Sequence, residues 1–254
     1  MEPDQIYEVI SKGGFRISTD TRKILPGDIY IGIKGDQFDG NAFAYDALEK
    51  GASYALIDNP DYTDSNNGKI ILVENTKNTL KKLAHIHRKT FACPIVVIGG
   101  SNGKTTTKEL TASVLSKKYR VHTTQGNLNN DIGVPLTLLS MNQETAIAVI
   151  EIGANHPGEH TELMDIVCPT HVLVTNNGAD HLEGFGSLEG ARKANAEIYD
   201  WAKKHEIPIF VNKTIPDLVQ DSAGKQQYLY PTKEWEGTST LLASLVYNNT
   251  PITS

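Results

Sequence analysis

The stretch IVVIGGSNGKTTTKE, residues 95–109, decides the fold of this chain. An apolar, β-branched run ends in a glycine turn, and a lysine followed by threonines opens a segment of helical character. A glycine turn between a buried strand and a helix presents backbone N–H groups and the positive end of the helix dipole to an anion. The sequence therefore predicts a strand, a phosphate-holding loop and a helix, in that order.

The loop departs from the spacing of the standard P-loop. The pattern G-x-x-x-x-G-K-[ST] would need a glycine where Ile98 stands. What remains is a tighter G-x-x-G-K-T turn from Gly100 to Thr105, in which Lys104 supplies a positive charge and Thr105 a hydroxyl for a magnesium ion. The alternative is an ordinary glycine turn with a solvent-facing lysine. The strand before the turn and the helix after it favour the phosphate loop.

From Cys93 onward, apolar runs alternate with helical segments. The runs are PIVVIGG (94–100), AIAVIEIGA (146–154), THVLVTN (170–176) and IPIFVN (207–212). Continuous β-branched runs of this kind indicate strands that are buried on both faces, hence a mostly parallel sheet covered by helices. Ligands of such sheets bind beyond the carboxyl ends of the strands. The residues that directly follow each run are therefore the candidate site residues.

Two further strand ends carry candidate ligands. Glu151 ends an apolar run, where a buried carboxylate needs a partner, and the open roles are a magnesium ligand, a helix cap or the partner of a basic side chain. His181 lies in the glycine-rich segment NGADHLEGFGS, residues 177–187. A lone loop histidine is usually a surface residue and magnesium prefers oxygen ligands, so the residue pattern alone leaves its role undecided.

The first third of the chain reads as a separate small α/β unit. Strands are predicted at DIYIGI (28–33), ASYALID (52–58) and IILV (70–73), and helices at FAYDALEKG (43–51) and NTLKKLAHIHRKT (78–90). We place the domain boundary at the second helix. The prediction is one domain over residues 1–85 and another over residues 86–254.

Composition limits the classes of function. A length of 254 residues with 39% hydrophobic content supports two modest domains, and a net charge of −6 gives no basic surface for nucleic acid or an anionic membrane. Cys93 and Cys168 form neither a disulfide framework nor a metal-ligand spacing, so free thiols are expected. The N-terminus does not read as a signal peptide, and no apolar run is long enough to span a bilayer. We expect a soluble, cytoplasmic monomer without membrane insertion.

Segments along the whole chain resemble the ATP-dependent Mur ligase family. They are GSNGKTTTKE (100–109), GNLNNDIGVPLTLL (126–139), EIGANHPGEH (151–160) and NGADHLEGFGSLEG (177–190), in the order and spacing of that family. The HPGEH and HLEGFGS parts resemble its MurF type rather than its other types or folylpolyglutamate synthase. The stretch STDTRKILPGDIYIGIKGDQFDG (18–40) is similar to the N-terminal domain of the family.

The resemblance implies both a fold and a reaction. The fold is a small N-terminal α/β UDP-binding domain, then a mostly parallel-sheet, P-loop-type ATPase domain that is incomplete at its C-terminal end, with the C-terminal domain of the family absent. The reaction is ATP-dependent addition of D-alanyl-D-alanine to UDP-N-acetylmuramoyl-tripeptide in peptidoglycan precursor synthesis. ATP phosphorylates the peptide carboxylate, and the incoming amine attacks the acyl phosphate.

The resemblance also assigns residues. ATP contacts are implied for Gly100, Ser101, Asn102, Gly103, Lys104, Thr105 and Thr106. One magnesium ion would be held by Thr105 and Glu151, and a second with help from His181, so that Lys104, Glu151 and His181 are the candidate catalytic residues. Candidate contacts to the uridine diphosphate are Thr21, Arg22 and Lys34, and candidates for the peptide or phosphates are Asn127, Asn129 and Asn130.

One position departs from the family pattern. The family carries a carbamylated lysine, an anionic magnesium ligand, where this chain has Asn195, and an amide cannot be carbamylated. Lys193 is nearby, but two residues along a helix turn the side chain by about 200 degrees, away from the metal. Two interpretations remain open: a tolerated substitution with weaker metal binding, or an impaired, MurF-like fragment that binds nucleotide or UDP-sugar. A different ATP-using ligase on the same scaffold is disfavoured by the HPGEH and HLEGFGS segments.

Overall fold

The computed structural model describes residues 2–11, 14–35, 38–63, 68–178, 182–224, 227–231, 235–238, 244–247 and 250–252. The chain divides into two compact units. The first consists of Met1–Ala92, Asp131–Gln143 and Ile166–Cys168, and the second of Cys93–Asn130, Glu144–Asp165 and Pro169–Ser254.

Helices and strands alternate along most of the chain. The helices are α1 Pro3–Ser11, α2 Ala44–Glu49, α3 Thr76–Lys89, α4 Lys104–Leu115, α5 Gly133–Leu139, α6 Glu159–Val167, α7 Leu182–Phe185, α8 Leu188–Lys204 and α9 Pro216–Asp221. The strands are β1 Ile17–Ser18, β2 Ile29–Ile31, β3 Tyr54–Ile57, β4 Ile70–Leu72, β5 Ile95–Gly99, β6 Val121–Thr123, β7 Ile147–Glu151, β8 His171–Val174, β9 Ile209–Asn212, β10 Gln227–Tyr230, β11 Trp235–Thr238, β12 Ser244–Tyr247 and β13 Thr250–Ile252.

The first unit is built on a four-stranded parallel sheet in the order β1-β2-β3-β4. Its core includes Tyr30 on β2, Ala44 and Ala47 on α2, and Ala55 and Ile57 on β3. Helix α3 packs against both α1 and α5. The predicted boundary at residues 85/86 falls inside α3, whereas the two units divide after Ala92, because the helix packs as one piece within the first unit.

Helix α1 was not predicted from the sequence. It buries Ile6 and Ile10 completely, and two apolar residues four apart give only one turn of helical periodicity, which is too short a signal to identify a helix. Helix α5 was also not predicted as a helix, because its glycine and proline argue against one locally.

The second unit confirms the predicted mostly parallel α/β fold. Its six-stranded sheet has the order β10-β9-β8-β5-β7-β6, and every neighbouring pair is parallel. The register pairs Ile98 of β5 with Glu151 of β7, and Gly99 of β5 with Val174 of β8. The loops that follow β5, β7 and β8 therefore meet at one edge of the sheet, where the order of the strands reverses.

Glycine is required at the end of β5. A Cβ on Gly99 would overlap the Ile198 side chain of α8, and a Cβ on Gly100 would overlap Thr175 Oγ1. Gly100 also has a φ of 113°, which L-residues with a side chain rarely adopt. These contacts bring α8 and the loop after β8 directly against the start of the phosphate loop.

Strands β11, β12 and β13 form a separate three-stranded antiparallel sheet. Among the described residues, no helix has the length and apolar character needed to cross a bilayer.

Candidate functional site

The loop between β5 and α4 has the geometry of an anion-binding turn. Gly103 caps α4 with a left-handed φ of 77°, and no side chain among the described residues caps this helix end. The N–H groups of a first helical turn have no acceptor within the helix, so they are available to a ligand. Lys104 Nζ donates to the carbonyl oxygens of Gly100 (2.7 Å) and Ser101 (2.8 Å), which folds the lysine back over the loop. Thr106 lies in the same first turn of α4 and is exposed.

Thr175 and Asn176, which directly follow β8, hold the loop in place by hydrogen bonds. Asn176 accepts hydrogen bonds from the backbone N–H groups of Ser101 (3.1 Å) and Asn102 (3.1 Å), through its carbonyl and side-chain oxygens respectively. The Thr175 hydroxyl donates to the Asn102 carbonyl (2.7 Å). Because two N–H groups of the predicted ATP contacts are already used in this way, the backbone donors to an anion begin at Gly103.

Glu151, the last residue of β7, contacts the first turn of α4, and only 1% of its surface is exposed. Its Oε1 accepts from the hydroxyl of Thr105 (3.1 Å) and from the side-chain amide of Asn129 (2.8 Å), and its backbone N–H donates to Thr124 Oγ1 (3.0 Å). Its other oxygen, Oε2, is buried and has no hydrogen-bond partner among the described residues.

A fully buried lysine faces that oxygen. Lys108 Nζ, on α4, lies 3.9 Å from Glu151 Oε2, and its side chain is 0% exposed. The sequence left open that Glu151 pairs with a basic side chain, and Lys108 is such a side chain. The sequence reasoning missed Lys108: its four-residue spacing from Lys104 and Ala112 places all three on one face of α4, but that spacing alone does not show which part of the face is buried.

The residues at this edge fit a magnesium ion. Magnesium prefers oxygen ligands and usually takes one or two protein carboxylates together with waters and substrate phosphates. Glu151 Oε2 is an orphaned, buried carboxylate oxygen, and the Thr105 hydroxyl lies on the same carboxylate. Within the described part of the chain, no cluster of three or more His, Cys, Asp or Glu side chains is arranged to hold a metal ion.

Asn195 does not fit the role of an anionic metal ligand. It lies on α8, is 5% exposed, and donates its amide to Asn177 Oδ1 (3.1 Å) and Ser101 Oγ (3.3 Å). Lys193, as predicted, faces away: its side chain is 76% exposed and lies 3.7 Å from Glu189. A second magnesium ion held through this position is therefore not supported. His181, the other residue predicted for a second ion, lies outside the described residues.

The HPGEH segment holds α8 in place. Glu197 of α8 accepts from the N–H groups of Gly158 (2.6 Å) and Thr161 (3.0 Å) at the start of α6. His160 Nδ1 donates to the Ala194 carbonyl (2.9 Å), since a carbonyl can only accept. Burial lowers the pKa of His160, so the ring stays neutral at physiological pH. These contacts fix the turn of α8 that carries Asn195.

The asparagines after β6 lie in different environments. Asn129 donates its amide to Glu151 Oε1, and its carbonyl accepts from Gly153 N (2.8 Å), so it supports the candidate metal ligand. Asn127 and Asn130 are exposed on the same loop.

The first unit contains a cavity of its own, of about 490 Å³. It is lined by Thr19, Asp20, Thr21, Arg22, Tyr30, Phe38 and Phe43. The predicted residues Thr21 and Arg22 lie together here, whereas Lys34 is exposed, forms a backbone bridge to Asp39 and is not among the described lining residues.

Arg22 donates to both carboxylate oxygens of Asp20 (2.8 Å each), and these hydrogen bonds lower the pKa of Asp20 to about 2. Exposed aromatic rings beside an arginine suit a planar base joined to an anion.

Comparison with protein families gives two matches. The family described as the Mur ligase middle domain matches residues 98–239, and the one described as the Mur ligase family, catalytic domain, matches residues 16–89. Together they match most of the chain, with one match in the N-terminal part of the first unit and the other over most of the second.

Individual relatives agree with this result. UDP-N-acetylmuramoyl-tripeptide–D-alanyl-D-alanine ligase from Bacillus subtilis is 37% identical over 216 residues, which are 85% of this chain and 47% of the relative. The ligase of the same name from Escherichia coli is 42% identical over 193 residues, 76% of this chain and 42% of the relative. The chain therefore spans about half the length of these relatives.

Solved structures show the same likeness. A crystal structure of MurF from Acinetobacter baumannii superimposes with a TM-score of 0.79 at 30% identity, covering 93% of this chain and 54% of the other. The MurF ligase from Thermotoga maritima in complex with ADP gives a TM-score of 0.77 at 27% identity, covering 93% and 57%.

Proposed function

The chain belongs to the Mur ligase family, and we propose that it takes part in the ATP-dependent joining of D-alanyl-D-alanine to UDP-N-acetylmuramoyl-tripeptide, in the cytoplasm, where ATP is available. The observation that carries the proposal is the uncapped start of α4 beside Glu151, with an orphaned carboxylate oxygen, at the strand-order reversal of a parallel sheet. The names of the relatives supply the substrates, and the ADP-bound neighbour supports ATP as the phosphoryl donor.

The proposed reaction has two steps. A carboxylate oxygen of the UDP-linked peptide attacks the γ-phosphorus of ATP, the bond from that phosphorus to the β–γ bridging oxygen breaks, and ADP leaves. The amine nitrogen of D-alanyl-D-alanine then attacks the carbonyl carbon of the acyl phosphate. The new amide bond forms as inorganic phosphate and a proton are released.

The residues of the second unit would position the phosphates. The N–H groups from Gly103 onward and the ammonium of Lys104 would bind the β- and γ-phosphates, with Lys104 exchanging its loop carbonyls for phosphate oxygens. Thr105 and Glu151 would hold one magnesium ion, which neutralises phosphate charge when bound. Asn129 keeps Glu151 oriented through Oε1, so that Oε2 stays open.

The cavity of the first unit would bind the uridine diphosphate end of the substrate. Phe38 and Phe43 offer ring faces for the base, and the guanidinium of Arg22 offers N–H groups to a diphosphate. This proposal assigns to the cavity a ligand whose base suits the aromatic lining, and its phosphates would compete with the Asp20 carboxylate for the Arg22 guanidinium.

Arg22→Ala is expected to weaken binding of UDP or of the UDP-linked tripeptide by about tenfold, because a charge-assisted hydrogen bond is lost. Lys23→Ala is the matched control, since Lys23 lies in the same short helical turn, carries the same charge and does not line the cavity. Calorimetric titration with UDP measures both. Equal weakening in the two variants would mean that only net charge matters and that the cavity is not the site.

Asn195→Ala is expected to weaken ATP binding about three- to tenfold, because the amide that holds Ser101 and Asn177 is removed. The fold should persist, since alanine suits a helix interior. Lys193→Ala, on the exposed face of the same helix, should leave ATP affinity unchanged. Fluorescent ATP-analogue titration is the measurement, and an unaltered affinity in Asn195→Ala would show that the amide does not support the loop.

A second candidate function is that of a binding module without turnover; it rests on the neutral Asn195 alone, and the ligase names of the relatives do not favour it. The two are separated by incubating the chain with ATP, Mg²⁺, UDP-N-acetylmuramoyl-tripeptide and D-alanyl-D-alanine, and measuring ADP and the amide product by mass spectrometry. Ligation predicts both products, and loss of both when any substrate is omitted. Binding of ATP and UDP ligands with no ADP formed would instead support the binding module.

A further inference from the structure

Lys108 is an unusual residue for the interior of a protein. Its side chain is 0% exposed, although an ammonium group is costly to remove from water without compensation. On α4, Lys108 and Ala112 are the buried residues, so the lysine occupies the position where an apolar side chain would be expected.

The ammonium has a full set of hydrogen-bond acceptors. An ammonium has three N–H donors, and Lys108 Nζ lies 2.6 Å from Thr124 O, 3.1 Å from Gly126 O and 2.9 Å from Glu109 Oε1. Glu151 Oε2, at 3.9 Å, therefore receives the charge of Lys108 but no hydrogen bond from it.

These contacts join the loop after β6 to the carboxylate. Lys108 binds the carbonyls of Thr124 and Gly126, while the Thr124 hydroxyl accepts from Glu151 N and Asn129 of the same loop donates to Glu151 Oε1. Removal of the lysine would therefore affect both the position of Glu151 and the balance of charge around it.

The charges at this point are balanced without a metal ion. Lys108 and Glu151 are both buried and of opposite sign, while Glu109 is 60% exposed, so that solvent screens its charge. A divalent cation bound to Glu151 Oε2 would be repelled by the ammonium of Lys108, which lies 3.9 Å from that oxygen. The lysine therefore lowers the affinity of this site for a metal ion that is not accompanied by phosphate.

We propose that Lys108 is a positioning residue that acts as the resident counter-cation of Glu151. It holds the carboxylate and the loop 124–129 in place before the nucleotide arrives, and it keeps the affinity for a free divalent cation low. The cation then binds well only when phosphate groups add negative charge; this last consequence rests on the proposed use of ATP.

The test is titration of the protein with Mn²⁺ alone, without nucleotide, followed by electron paramagnetic resonance of the free ion. Lys108→Met removes the charge and the hydrogen bonds, whereas Lys108→Gln removes the charge and keeps an amide donor. Both variants are expected to bind Mn²⁺ at least about tenfold more tightly than the unaltered chain, because the repulsion of a nearby like charge is lost. Lys117→Met, at an exposed position after α4, is the control and should bind Mn²⁺ like the unaltered chain.

Thermal unfolding adds a second readout. Saturating Mn²⁺ should raise the Tm of both Lys108 variants more than that of the unaltered chain, because the ion replaces the missing positive charge beside Glu151. A lysine that only filled space would give a loss of stability that Mn²⁺ does not restore.

Unchanged or weaker Mn²⁺ affinity in both variants would overturn the proposal, and so would variants that stay unfolded at saturating Mn²⁺. The titration needs no turnover and no ATP. Tighter Mn²⁺ binding together with a complete absence of ligation would leave the role of Lys108 standing while the proposed function fails.

Discussion

Lys104→Met is expected to lower kcat/KM for ATP in the ligation assay by roughly 10³-fold, which corresponds to about 4 kcal/mol of transition-state stabilisation. Methionine keeps most of the length of the side chain and removes the charge that would face the transferring phosphate. Lys104 Nζ donates to the carbonyls of Gly100 and Ser101 within the loop and not to the ladder of β5, so the strand and helix on either side should persist.

The measurement is ADP release coupled to a spectroscopic assay, with circular dichroism to verify folding. Lys117→Met is again the matched control, since it removes one lysine charge outside the site. A loss of less than tenfold in Lys104→Met would contradict the assignment of this loop to the phosphates of ATP.

Glu151→Gln is expected to lower kcat by about 10²-fold or more and to shift the magnesium dependence to higher concentration. The amide oxygen can still accept from Thr105 and Asn129, so the geometry around Oε1 is retained while the negative charge of the candidate metal ligand is lost. Initial rates over a range of Mg²⁺ concentrations at fixed ATP measure the effect.

The control for this variant is Glu144→Gln, because that carboxylate is exposed and paired with Arg120 on the surface. It should leave both the rate and the magnesium dependence unaltered. If Glu151→Gln lost activity with no shift in magnesium dependence, the residue would have a structural role, and the cation would have to be held elsewhere.

Much of the fold could be predicted because the signals are local. The apolar runs at β5, β7, β8 and β9 are long enough to identify as buried strands, and their alternation with helices implies parallel pairing. Elements with weak local signals were missed: α1 has a single helical turn of apolar spacing, and α5 begins with residues that disfavour helices. Packing stabilises these two helices, and sequence propensity does not reveal it.

The candidate site was predicted only in part for a related reason. Strand ends pointed to Lys104, Thr105 and Glu151, since all three follow or end apolar runs. Nothing in the local sequence distinguishes a buried lysine on a helix from an exposed one, so Lys108 was not assigned a role. The contact of Asn195 with Ser101 was likewise beyond a sequence reading, because these residues are 94 positions apart.

The amino-acid sequence by itself determined the apolar strands β5, β7, β8 and β9, the glycine turn at the end of β5 and the residue types at each strand end, because each depends on neighbours within a few positions. The tertiary structure alone decided which oxygen of Glu151 is used by Thr105 and Asn129 and which is left open beside Lys108. Thr105 and Glu151 are 46 positions apart, and only the parallel pairing of β5 with β7 brings them within hydrogen-bonding distance. Charge and hydrogen bonding act over a few ångströms in space, so the chemistry of this edge exists only once the sheet has formed.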